Sequence, residues 1–344
     1  MTKKAHMVQS IQEITTKMRP SVVSVGNFDG VHRGHQSVIK QLLQQGEALG
    51  LPSVVVTFDP LAKEYFSRRR EGMPVPARLT SSEQRAQLLL QYGVDHVVCL
   101  PFTDELAKQT AYDFVKELLI EALQVRYLVV GDDFRFGFQR QGDFTLLQEI
   151  GRDNGFAVAS MQTFRLDSHR VSSGRVRDAL QQNDFALAQR LLGRVYSIKG
   201  CIEKGDQLGR KIGFPTANIR LPDFKLPLKG VFAVRAQLPS GIEVNGVCNI
   251  GKRPTVDGKE NRLEVHLLDL DFEMIKKDVV NTDNNARQQP ESEASYDLYG
   301  LNLEVFFMCK IRDELKFNDV AELQAQIQKD VDLARLFFAE NTNT

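Results

Sequence analysis

The chain has 344 residues, enough for two domains that each bury a core. Its 44 Lys and Arg balance 44 Asp and Glu, so nothing in the overall charge points to nucleic acid or a membrane surface as a partner. Four scattered cysteines without a Cys-x-x-Cys pair argue against a zinc site or a disulfide framework, and burial as small apolar side chains is expected for Cys99, Cys201, Cys248 and Cys309. No apolar run reaches the roughly 18 residues of a membrane span. The start of the chain lacks a signal-like apolar stretch, so a reducing cytoplasm is the expected compartment.

In chain order, β-branched runs predict strands at Val22–Val25, Ser53–Phe58, His96–Leu100 and Arg126–Val130. Helical patterns at Gln36–Leu49, Ser82–Tyr92 and Ala111–Leu123 lie between them, which implies parallel βαβ units. Two short helices follow, Ser173–Leu180 and Phe185–Leu192, and the domain boundary is expected near Asn183, dividing the chain into 1–183 and 184–344. Beyond Gly193 the texture changes. Val231–Gln237, Glu243–Asn249, Leu263–Asp269 and Leu303–Cys309 are β-rich and joined mostly by Gly, Pro, Asn and Asp, as in an antiparallel barrel. The segment 272–295 is polar, offers little to bury and reads as a loop between two strands. The end is helical, with Asp319 and Glu322 spaced as a capping box before the stripe Leu323, Ile327, Val331 and Ala334.

Chemistry-bearing residues cluster at the strand ends of the first half. Gly26, Asn27 and Asp29 lead from a strand into Gly30-Val31-His32-Arg33-Gly34-His35, which opens a helix. Free N–H groups at such a junction attract phosphate. Gly131-Asp132-Asp133-Phe134-Arg135-Phe136-Gly137 follows another strand, and Gly142-Asp143 closes that loop. Val171-Ser172-Ser173-Gly174-Arg175-Val176-Arg177 begins a helix with hydroxyls and guanidiniums suited to a pyrophosphate. In the second half, Gly205, Gly209 and Gly213 are spaced by four, with Arg210 and Lys211 beside them, so backbone and charge are expected close to a ligand. Gly213-Phe214-Pro215-Thr216-Ala217-Asn218 completes that loop. Alternation in the strand Leu263–Asp269 sets Glu264, His266 and Leu268 on one face, where an exposed carboxylate is also the ordinary arrangement.

The pattern Gly-x-His-x-Gly-His resembles the signature of the nucleotidyltransferase superfamily. With Val130–Gly137 and Val171–Arg177, it resembles the adenylyltransferase half of the prokaryotic bifunctional riboflavin kinase/FAD synthetases. Gly213–Asn218 resembles the riboflavin kinase motif of the same family, and the likeness runs from about Val22 to about Phe337. It implies an α/β Rossmann-like nucleotidyltransferase domain, then an antiparallel β-barrel riboflavin kinase domain with a terminal helix. It also implies two reactions: riboflavin and ATP give FMN, then FMN and ATP give FAD and pyrophosphate, with Mg²⁺.

By this resemblance Gly26, Asn27, Asp29, His32, His35, Ser172, Ser173, Arg175 and Arg177 hold ATP for adenylyl transfer. Gly209, Lys211, Gly213, Thr216 and Asn218 hold it for the kinase, with Thr216 and Asn218 on Mg²⁺. Glu264 is the base, and Asp133, Phe134 and Arg312 are the candidate flavin contacts; Phe58 and Phe136 are further candidates, and for all three phenylalanines core packing is the alternative expected first. Two alternatives stay open, the first because of two departures, Leu61 where the family has histidine and Gly174 where it has threonine. These are a kinase with a weak or inactive first half, and a flavin- or nucleotide-binding regulator without turnover.

Overall fold

A computed structural model describes residues 7–205, 208–221, 224–255, 258–270 and 298–341, so the expected loop at 272–295 lies outside the described residues. The chain divides into two compact units, Met1–Val176 with Leu191–Gly193, and Arg177–Arg190 with Arg194–Thr344.

The first unit is built on six parallel strands: β1 (Met7–Val8), β2 (Ser21–Val25), β3 (Ser53–Asp59), β4 (His96–Pro101), β5 (Val125–Gly131) and β6 (Ala157–Met161). They are ordered β1-β4-β3-β2-β5-β6. The valine runs follow from burial on both faces. Val23, Val25, Val54, Val56, Leu128 and Val130 join one core. The alternate residues Val22, Val55, Val97 and Val129 join the other. Helix α1 (Arg33–Leu49) and two later helices, α2 (Ala62–Arg68) and α3 (Ser82–Gln91), precede β4. Ile39 and Leu42 of α1 and Ala86 and Leu89 of α3 cover the second face.

Helices α4 (Asp104–Lys108) and α5 (Ala111–Phe114) follow β4, and α5 continues as a wider π-helix over Val115–Ala122 that covers the first face with Val115, Leu118 and Leu119. Helix α6 (Phe144–Asn154) was not expected; Asp143, read as closing a loop, instead caps it by accepting the Leu146 N–H at 3.0 Å. Strands β1 and β6 also went unpredicted, being short or weakly apolar. A small hairpin, β7 (Arg165–Leu166) and β8 (His169–Arg170), leads to α7 (Ser173–Gln181) and α8 (Phe185–Leu192).

The second unit is a closed antiparallel barrel of β9 (Ser197–Glu203), β10 (Ala217–Arg220), β11 (Gly230–Gln237), β12 (Glu243–Thr255), β13 (Gly258–Leu267) and β14 (Asn302–Arg312). Helix α9 (Leu208–Lys211) lies between β9 and β10. All four expected strands are present, and β9 and β10 complete the closure. Phe232 and Phe307 are fully buried and meet edge to face with centroids 5.4 Å apart. Val231, Ala233 and Val247 pack instead against Val331 and Ala334 of the terminal helix α10 (Val320–Glu340). Asp319 caps α10 at the Glu322 N–H, 2.8 Å away, while the Glu322 carboxylate reaches one residue further than a capping box requires, to the Asn318 N–H.

The cysteine expectation is met at Cys99 and Cys248, which are buried; Cys309 is half-buried and Cys201 is exposed. Among the described residues no helix is long and apolar enough to cross a membrane.

Candidate active sites

The first site forms at the carboxyl ends of β2 and β5, which lie side by side with β3 flanking β2. Such strand ends are where open parallel sheets bind ligands. His32 caps α1: its Nδ1 accepts the His35 N–H at 3.3 Å, and the two rings stack with centroids 3.6 Å apart. A Cβ on Gly34 would sit 3.1 Å from the His32 ring and 3.4 Å from the Val171 carbonyl oxygen, so glycine lets the start of α7 come this close. Ser173 Oγ donates to the Asp29 carbonyl at 2.9 Å, and the Arg175 N–H donates to Ser172 Oγ at 3.2 Å. The first and third motifs are therefore one structure. The second joins them through Arg170, whose guanidinium pairs with Asp133 at 2.6 Å.

His35 Nδ1 is buried without a hydrogen-bond partner. Burial, reinforced by His32, Arg85 and Arg170, holds the His35 imidazole well below its ordinary value, so at neutral pH it is an uncharged ring. Other expected residues are placed less directly. The Asp29 carboxylate is buried and accepts the Leu79 and Thr80 N–H groups at 3.0 and 3.2 Å, so it fixes the loop before α3. Asn27 beside it is exposed. Arg175 already donates to the Leu166 carbonyl at 3.0 Å, and Arg177 belongs to the second unit. Phe58 and Phe136 are buried in the core, and Phe134 is partly buried against them and stacks on Phe136.

The two departures differ in kind. Leu61 is buried at the start of α2, so packing occupies its place. At Gly174 an added Cβ would meet nothing closer than Ser172 Oγ at 3.7 Å. Gly174→Thr is therefore expected to fold normally and to gain about 0.3 kcal/mol from lower backbone entropy in the unfolded chain, measured by urea unfolding.

The second site lies on the outer face of the barrel. Glu264 stands in register between Asn218 of β10 and Asn249 of β12. The amide oxygens of both asparagines are buried without a hydrogen-bond partner, and Arg262 Nη1 lies 3.3 Å from the Glu264 carboxylate. His266, on the same face of β13, holds the Pro215 carbonyl through Nδ1 at 2.8 Å, which fixes the loop carrying Thr216. The glycines serve the fold more than a ligand. Cβ atoms at Gly205 and Gly209 would collide with the Asn218 amide and the Phe214 carbonyl, whereas Gly213, with φ of +85°, faces open space. The Asp206 end of the glycine loop and the side chain of Lys211 lie outside the described residues. Asn249 escaped the sequence analysis; its only signal is a polar residue in register with Glu264.

Arg312 is committed to structure. Its guanidinium forks onto the buried carboxylate of Asp330 at 2.8 and 2.7 Å, and Nη1 donates to the Asp313 carbonyl. The pair ties β14 to α10. Asp330→Asn is expected to cost about 2 kcal/mol, read as a lower denaturant midpoint of the barrel transition, since it strands a half-buried guanidinium.

Comparison with known proteins agrees with both halves. Residues 14–175 match the FAD synthetase family and residues 192–338 the riboflavin kinase family. The bifunctional riboflavin kinase/FMN adenylyltransferase of Haemophilus influenzae is 40% identical over 96% of this chain and 99% of its own length. That of Escherichia coli is 42% identical over 92% of each. A Streptococcus pneumoniae crystal structure titled a macrolide-efflux protein superposes with a TM-score of 0.70 at 26% identity, covering 95% of this chain and 97% of that one. An α/β domain with a histidine pair at a helix start, followed by a small barrel with a carboxylate on its outer face, defines a nucleotidyltransferase joined to a kinase. The chain belongs to the bifunctional riboflavin kinase/FMN adenylyltransferase family.

Proposed function

We propose that this chain phosphorylates riboflavin in its second domain and adenylylates the resulting FMN in its first, with the boundary at 183/184. The observation that carries the reading is Glu264 set between two unpartnered amide oxygens on the barrel face. Three oxygen acceptors side by side repel one another in the free protein and suit a hard cation and a substrate hydroxyl. Asn218, whose amide oxygen is orphaned, and Thr216 would hold Mg²⁺, which neutralises charge on the ATP phosphates. Glu264 takes the proton of the riboflavin 5′-hydroxyl as that oxygen attacks the γ-phosphorus and ADP departs.

In the first domain the FMN phosphate attacks the α-phosphorus of ATP and pyrophosphate leaves. The uncharged His35 meets a phosphate oxygen as a hydrogen-bond donor, with His32 stacked beneath it, while Ser172, Ser173 and Arg175 attend the pyrophosphate. Asp133 and Phe134 contact the flavin ring. The buried fork on Asp330 makes Arg312 a support for the barrel face instead of a flavin contact. The partners of this reading are the small molecules riboflavin, FMN and ATP. Incubation with riboflavin, ATP and Mg²⁺ tests the reading: FMN then FAD supports it. FMN alone, even when FMN is supplied, leaves only the kinase; neither product leaves a binding protein.

A further inference from the structure

The least expected side chain in the first domain is Arg85 of α3. It is fully buried, the largest side chain so enclosed among the described residues. Its Nη2 donates to the Phe58 carbonyl at 2.8 Å and lies 3.9 Å from Cys99 Sγ. Nε and Nη1 have no hydrogen-bond partner, and Arg85 forms no ion pair among the described residues. Of the carboxylates around that carbonyl, Asp59 is already paired with Arg78 at 2.7 Å and accepts Ser82 Oγ at 2.8 Å. Glu83 is exposed. A guanidinium with five donors, taken out of water and left without an ion-pair partner, is costly to the fold unless something offsets it. A core built for stability alone would hold leucine or methionine there.

The position suggests what offsets the charge. Phe58 is at the carboxyl end of β3, beside β2, whose end carries the histidine pair. After burial and His32, Arg85 and Arg170 are the charges that hold the His35 imidazole below its ordinary value. A charge in a low-dielectric interior acts on its neighbours far more strongly than in water. We propose that Arg85 is an electrostatic positioning residue of the adenylyltransferase site, a fixed cation beneath the strand ends that the phosphates of bound ATP neutralise. This rests on the reading of the His32–His35 cluster as the phosphate site. Arg85 does not touch the nucleotide; it makes the site electropositive before ATP arrives, and the free protein bears the cost.

Arg85→Gln keeps a donor for the Phe58 carbonyl and removes the charge, whereas Arg85→Lys keeps the charge and loses the fork. The measurement is FMN adenylylation against ATP concentration for both. We expect R85Q to raise the KM for ATP about tenfold with kcat within about threefold, and R85K to stay within about threefold on both. Thermal unfolding of ligand-free R85Q should occur no lower than in the parent, and its midpoint should rise less on adding ATP. Equal KM values for R85Q and the parent overturn the proposal, and so does equal impairment of R85Q and R85K, which would make shape the requirement. If His32→Ala with His35→Ala still forms FAD at the parental rate, the phosphate-site reading itself fails. If that variant is inactive while R85Q behaves as the parent, only the role of Arg85 fails.

Discussion

Replacing His32 and His35 together by alanine is expected to lower FAD formation from FMN by at least ~10³-fold and to leave riboflavin phosphorylation within about twofold of the parent. The size follows from losing two groups at once. His32 caps α1 and stacks on His35, and His35 carries a buried ring nitrogen with no hydrogen-bond partner. The separation of effects follows from the fold, since both histidines lie in the first compact unit and every kinase residue lies in the second. Losing the His32 cap also costs the helix about 1 kcal/mol, so circular dichroism should show the fold retained under assay conditions. Parallel loss of both activities in a folded variant would contradict the assignment of two sites.

Glu264→Gln is expected to cut riboflavin phosphorylation by ~10²-fold or more, within the range a general base supplies. Glutamine keeps the size and one acceptor oxygen but cannot take the proton of the 5′-hydroxyl. The neighbours make the test clean: Asn218 and Asn249 flank the position in register, and the ion pair with Arg262 is half-exposed and contributes little to folding. Riboflavin and ATP should still bind, and FMN supplied directly should be adenylylated at the parental rate. Near-normal turnover would return Glu264 to the role of an ordinary strand carboxylate. Loss of binding of both ligands would make it a structural residue.

Much of this architecture is legible in the chain because its strong signals are local. Valine runs buried on both faces can only be central parallel strands, and Val22–Val25 and Ser53–Phe58 are such runs. Strands β9 and β10 were missed because their residues are mixed in polarity; Ala217-Asn218-Ile219-Arg220 reads as part of a binding loop until pairing with β13 is seen. Helix α6 was missed because its cap, Asp143, follows a glycine and looks like a turn. The motifs located His32, His35 and Glu264, but which side chains are already engaged is a property of the packed fold. That Asp29 fixes the 79–80 loop and Arg312 fixes α10 depends on partners 50 and 18 residues away. Arg85 gave no signal at all, since a polar residue on an amphipathic helix is ordinarily solvated.

The central claim is that one chain carries two separable sites joined only by the FMN passed between them. Mixing the two inactive variants tests it most directly, with riboflavin, ATP and Mg²⁺ supplied and FAD measured. Each variant alone should form little or no FAD from riboflavin, one for want of FMN and the other for want of adenylyl transfer. The mixture should restore FAD formation, because FMN made by the histidine variant serves the intact first domain of E264Q. A mixture that forms FMN but no FAD, while E264Q also fails to adenylylate added FMN, would contradict the account.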